Sequence, residues 1–165
     1  MQTKYKLPKE LYQETLWIIR GQKHREKKYK EKYSDILEGG GANYISKRNK
    51  DGEETERIYV PSGKGTTQSA TEIKALALDA LENSVETIKM RSVQQALSEI
   101  GNDIADDTCK NNLIKALLLN INDRHNFPYE KLYLPKISKK KFYQYKSEFV
   151  YLVALKNNFI ENKKE

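Results

Sequence analysis

Residues 135–149, PKISKKKFYQYKSEF, carry the densest chemistry in the chain: three consecutive lysines, preceded by a proline and a serine and followed by four aromatics. Lysine ammonium groups pair with phosphate oxygens or with the acceptors of guanine, and a glutamine amide matches the adenine edge. A tyrosine reaches a phosphate or a thymine methyl group. The candidate DNA-contacting residues are Lys136, Ser138, Lys139, Lys140, Lys141, Tyr143, Gln144, Lys146 and Ser147. A lysine run on its own is most often a solvated helix start, so the meaning of this one depends on what holds it.

Phe142, Tyr145, Phe149 and Leu152 recur at steps of 3, 4 and 3, with Val153 beside them. That spacing predicts a helix with one buried face, reaching to about Asn158. Ser138 stands where a side chain can cap the first turn, and Pro135 breaks the chain before it. Upstream, TCKNNLIKALLLNI predicts a compact helix, NDRHN a break, and FPYEKLYL a short helix started by Pro128. Helix, short helix, break, helix is the order of a helix-turn-helix unit, whose last helix enters the major groove.

The charge agrees with this assignment. The 165-residue chain has 30 Lys and Arg against 23 Asp and Glu, a net charge of +7. Residues 130–165 hold 9 lysines and 4 acids, so most of that excess lies in the C-terminal unit. A basic chain favours acidic partners, nucleic acid first. No apolar run approaches the roughly 20 residues of a membrane span, and MQTKYKLPKELYQ lacks the apolar core of a secretory signal. The single Cys109 cannot form an internal disulfide, which suits a reducing cytoplasm.

The N-terminal part, residues 1–101, predicts two long helices, 8–37 and 69–100, joined by a loop at about 39–68 with a short extended piece at RIYV. The first has Tyr12, Leu16, Ile19, Tyr33 and Ile36 near helical spacing and a solvated centre, GQKHREKKYKEK, before EGGG stops it. The second, capped by Ser69 or Thr71, carries Ile73, Ala77, Leu81, Val85, Ile88, Val93, Leu97 and Ile100 as a coiled-coil-like seam. The seam fits an antiparallel hairpin or self-association into a homo-oligomer. The expected fold is all-α: a long N-terminal helical hairpin plus a C-terminal helix-turn-helix domain over 102–165.

TQSATEIKALALDALENSVETIKMRSVQQAL together with LYLPKISKKKFYQYKSEFVYLVALKNNF resembles the RinA and ArpU-like phage transcriptional regulators. The family pattern is an N-terminal helix, a Gly-rich break, a second helix and a domain like region 4 of sigma factors. The last helix of that pattern begins I-S and places hydrophobic residues at the positions of Phe142 and Tyr145 here, then runs into a Leu/Ala-rich end, here Leu152, Val153 and Ala154. This chain has lysines where the family carries arginines. The resemblance implies an activator of phage late genes in the cytoplasm of a bacterial host, double-stranded DNA as partner, and RNA polymerase as a further one.

Other signals are weaker. PSGKGTT at 61–67 lacks the spacing of a phosphate-binding P-loop. His24, His125 and Cys109 do not make metal-ligand spacing, and Asp103, Asp106 and Asp107 read as capping carboxylates. Neither a catalytic triad nor a cofactor motif is evident, so an enzyme is not expected. Two other classes compete with transcriptional regulation: a DNA-packaging initiator of the small-terminase kind, and a helical protein-interaction module without DNA binding.

Overall fold

The computed structural model describes residues 4–38, 44–48, 54–59 and 70–160. The fold is all-α, and the described residues form six α-helices: α1 (Lys9–Arg20), α2 (Gln22–Glu38), α3 (Ala70–Glu82), α4 (Val85–Glu99), α5 (Asp107–Asn122) and α6 (Lys139–Lys156). A two-stranded antiparallel hairpin, β1 (Tyr44–Arg48) and β2 (Glu54–Tyr59), lies in the expected loop, and most of RIYV falls in β2. Its register runs from Tyr44 opposite Tyr59 to Arg48 opposite Glu54, with an irregularity between Lys47 and Arg48. PSGKGTT and the alternative cap Ser69 lie outside the described residues.

Each of the two long helices expected near the N-terminus is divided. The first breaks at Gly21, whose N–H donates to Trp17 O at 3.1 Å. The guanidinium of Arg25 lies across the glycine and donates to Ile18 O, a carbonyl released by the end of α1. The second breaks at Asn83 and Ser84. Asn83 Nδ2 turns back to Asp79 O at 2.9 Å, and Ser84 Oγ accepts from Thr87 N at 3.3 Å, capping α4. This break interrupts the apolar seam. Leu81, Val93 and Ile100 are buried, whereas Val85 and Ile88 face solvent.

Two compact units result, Glu26–Thr87 and Met1–Arg25 with Ile88–Glu165. Their division does not fall at residue 101, where the sequence places it. Leu16, Ile18 and Ile19 of α1 and Val93, Ala96 and Ile100 of α4 share one core with α5 and α6, so both helices belong with the C-terminal elements. In the smaller unit Tyr29 donates to Glu82, and Lys74 Nζ donates to Leu37 O at 3.0 Å. The middle of α2 thus meets the end of α3, and the end of α2 meets the start of α3, an antiparallel pairing.

The larger unit is built on α5 and α6. Asp106 caps α5 by accepting from Thr108 N at 3.0 Å and Cys109 N at 3.3 Å. Leu113, Leu117 and Ile121 then face the core. α6 contributes Phe142, Phe149, Val150 and Val153, all without exposed surface. Each such side chain stabilises the fold by about 1.5–3 kcal/mol through burial. α1 packs on both α5 and α6. Between α5 and α6 the expected short helix is one 3₁₀ turn, Tyr129–Lys131. It ends because Tyr133 takes a left-handed backbone (φ 49°), two residues before Pro135.

Gly101, which ends α4, has φ +71°, and a Cβ there would stand 3.4 Å from Leu113 and Lys110 side chains. Gly101→Ala is expected to cost about 1–2 kcal/mol, because an L side chain is disfavoured in that region. Gly21→Ala has ordinary backbone angles and meets only the movable tip of Arg25, so its effect should stay within about 1 kcal/mol. Urea denaturation of both variants measures the contrast.

Candidate nucleic-acid interface

Ser138 caps α6 as its sequence position suggests, its Oγ accepting from Lys141 N at 3.3 Å. The helix start is therefore fixed, and the burial of Phe142 and Phe149 sets its rotation. At about 100° per residue, the lysine run fans out around the helix end. Lys141 turns towards the α4–α5 connection, Lys140 outward, and Lys139 towards the 3₁₀ turn.

Three of the four lysines at this end meet carboxylates. Lys136 Nζ lies 2.7 Å from Asp106 Oδ2, Lys141 Nζ lies 3.2 Å from Asp103 Oδ2, and Lys139 pairs with Glu130. Lys141 also sits over the Tyr145 ring, 4.8 Å from its centroid. Tyr145 donates to both Asp103 oxygens at 2.8 Å. That bond holds the Asp103 carboxyl below its usual range, with Lys141 helping. Burial and the same carboxylate raise the Tyr145 phenol. Hydrogen bonds from Lys136 and Lys139 lower Asp106 and Glu130 respectively and raise the lysines. All three ion pairs are solvent-exposed, where such pairs contribute about 0–1 kcal/mol. A phosphate can displace these carboxylates at little cost.

Lys140 and Gln144 project outward one turn apart and make no hydrogen bond or ion pair among the described residues. Both are exposed, and both are among the expected contact residues. Tyr143 is half-buried against the core, its ring edge-on to Phe142 at 5.4 Å between centroids. Ser147 donates to Tyr143 O of its own helix at 3.0 Å. The Ser147 hydroxyl is thus spent within the helix, and the Tyr143 ring is committed to packing.

Lys146 departs furthest from expectation. It is 8% exposed, and its Nζ donates to the buried Asn120 Oδ1 at 2.8 Å. The α6 buried arc is wider than the Phe142–Tyr145–Phe149 stripe, because it includes Val150 and Ala154. Lys146 falls inside that arc, one turn after Phe142 and one before Val150. Its ammonium is pushed down to about 8, first by burial and then by the guanidinium groups of Arg124 and Arg20.

Sequence reasoning missed Arg20, Asn120 and Arg124. Arg20 Nε donates to Ile121 O at 2.9 Å, and its guanidinium lies 5.8 Å from the centre of the exposed Trp17 ring. Asn120 Nδ2 donates to Phe127 O at 2.8 Å, which orients the amide oxygen towards Lys146. Both arginines also bear on the half-buried Tyr12 hydroxyl, which burial raises and the guanidinium groups oppose. The one sequence signal was Asn120, a polar residue inside the apolar run LLLNI.

Among the described residues, no group of three His, Cys, Asp or Glu side chains could hold a metal ion, and no helix is long and apolar enough to cross a membrane. No protein-family model matches the chain, and no curated protein or solved structure shows significant similarity to it.

The buried lysine makes stability depend on pH. Its folded value is about 8 against 10.5 for a free lysine. Between those values the unfolded chain binds more protons, so raising the pH through this window stabilises the fold. Below it, the cost of burying the charge is fully present. Lys146→Met removes the group. The wild type should gain about 2 kcal/mol on this variant between pH 8 and 10, read from denaturation curves of both proteins.

Proposed function

We propose that the protein binds double-stranded DNA along the exposed flank of α6 and regulates transcription. The reading is carried by the start of α6. A helix anchored by Phe142 and Phe149, and capped by Ser138, directs uncommitted Lys140 and Gln144 away from the core. Exposed Lys136, Lys139 and Lys141 surround them in weak ion pairs. In this reading Gln144 contacts a base edge, Lys140 meets a phosphate or a guanine, and the paired lysines exchange a carboxylate for a phosphate. Lys146, Tyr143 and Ser147 act from behind, by positioning the helix.

The resemblance to RinA and ArpU-like regulators adds a biological setting: a late-gene activator in a bacterial host, working beside RNA polymerase. The net charge of +7 supports binding to a polyanion. The single 3₁₀ turn before α6 makes the unit smaller than a three-helix reader, so α1 and α5 supply the support that a full second helix would give.

Equilibrium titration against promoter and random duplexes at several salt concentrations tests this. With four lysines on phosphates, log affinity should fall with log salt at a slope of about −3.6. Lys140→Ala should weaken binding to every sequence. Gln144→Ala should narrow the preference between sequences by about 1–3 kcal/mol at one base position. Unchanged affinity and preference in the double variant would sink the assignment of α6 as the reading element.

A further inference from the structure

Three cations converge at the C-terminal end of α5 without a carboxylate among them. Arg20 comes from α1, Arg124 follows α5 by two residues, and Lys146 comes from α6. None of the three makes an ion pair among the described residues. Three acids lie close in sequence, and each is engaged elsewhere; Glu148, two residues after Lys146, accepts a hydrogen bond from Tyr5. Asp123 accepts from Asn126 N at 3.0 Å and from Asn126 Nδ2, and Glu130 is held by Lys139.

The carbonyls at a helix C-terminus attract cations, and that attraction accounts for part of the cluster. Arg20 spends Nε on Ile121 O, and Lys146 spends one donor on Asn120. The Trp17 ring faces Arg20 as well, and the rest has no anionic partner among the described residues. Arg20 keeps the other nitrogens of its fork, and Arg124 is exposed with no hydrogen bond to any described residue. Lys146 remains a buried ammonium with one neutral acceptor. Burial lowers its affinity for a proton first, and repulsion from the guanidinium groups of Arg124 and Arg20 adds to that.

We propose that Arg20 and Arg124, with Lys146 beneath them, hold a backbone phosphodiester of bound DNA beside the Lys140 and Gln144 contacts. This rests on the DNA-binding reading above. The exposed guanidinium forks make the direct hydrogen bonds, for which their planar donors suit a phosphate. Lys146 contributes charge at short range in a site of low dielectric, and Asn120 keeps it aimed there. The anion supplies the negative charge that the folded chain does not.

The test uses the full chain and fluorescently labelled duplexes across a salt series. Arg124→Gln should weaken binding about tenfold, equally for promoter and random DNA, and reduce the salt slope by about 0.9. Its folding stability should not fall, because Arg124 has no hydrogen-bond or ion-pair partner to lose among the described residues and its repulsion of Lys146 is relieved. In the wild type, the Lys146 ammonium followed by NMR should titrate at higher pH once duplex is added. If Lys140→Ala weakens binding while Arg124→Gln alters neither affinity nor slope, the phosphate site is wrong and the DNA-binding reading stands. If the Lys146 titration is unmoved by duplex, its place in the site is overturned. A wild-type protein showing no salt-dependent binding would remove both readings.

Discussion

Phe142, Phe149, Val150 and Val153 leave no surface to solvent, and their burial sets the rotation of α6 about its axis. The direction of each lysine in the run depends on that rotation. Successive side chains on a helix stand about 100° apart, so three adjacent lysines cannot share a direction once the apolar arc is locked. Lys141 is delivered to Asp103, Lys140 to solvent and Lys139 to Glu130. The same rotation carries Lys146 inward to Asn120. The helix start is a set of differently partnered cations rather than one uniform basic surface.

The charges form two unlike regions. On the side of the α4–α5 connection, Asp103 and Asp106 hold Lys141 and Lys136, and the local charge is nearly balanced. At the end of α5, Arg20, Arg124 and Lys146 meet no carboxylate among the described residues; a helix carbonyl and the Trp17 ring face Arg20, and an amide oxygen faces Lys146. Burying an ammonium costs free energy unless it is paired. The chain nonetheless keeps one against Asn120, in an arc that could have been apolar. That cost is a reason to look for function in this region. The expectation from sequence centred binding on the start of α6, whereas the cations without a carboxylate lie on a neighbouring surface formed by α1, α6 and the residues just after α5.

The local signals in the sequence were strongest where one residue acts on its own chain neighbours. Ser138 before a helical apolar pattern and Asp106 ahead of TCKNNLIKALLLNI both cap as their chemistry dictates. The helical content and the apolar stripe of α6 were legible for the same reason. Gly21 and the Asn83–Ser84 pair were less so. A glycine inside a charged helix is tolerable in isolation, and Arg25 folding over it to Ile18 O is a property of the formed turn. Ser84 capping at Thr87 was readable as an S-x-x-T pattern, but the continuous apolar repeat across it masked the signal. The lysine at 146 looked exposed because Val150 and Ala154 were not recognised as part of the same buried arc.

The sequence by itself determined that this chain is helical, basic towards its C-terminus and capped at Ser138. These follow from propensity, composition and contacts within a few residues. Only the tertiary structure decided that α1 and most of α4 join the core of α5 and α6, because Ile19, Val93 and Phe142 are far apart in the chain and meet only by packing. It likewise decided which cations are neutralised and which are not. Asp103 and Lys141, or Lys146 and Asn120, acquire their meaning from distances of about 3 Å between residues tens of positions apart. Charge energies vary steeply with such distances and with burial, and neither can be read from the order of residues.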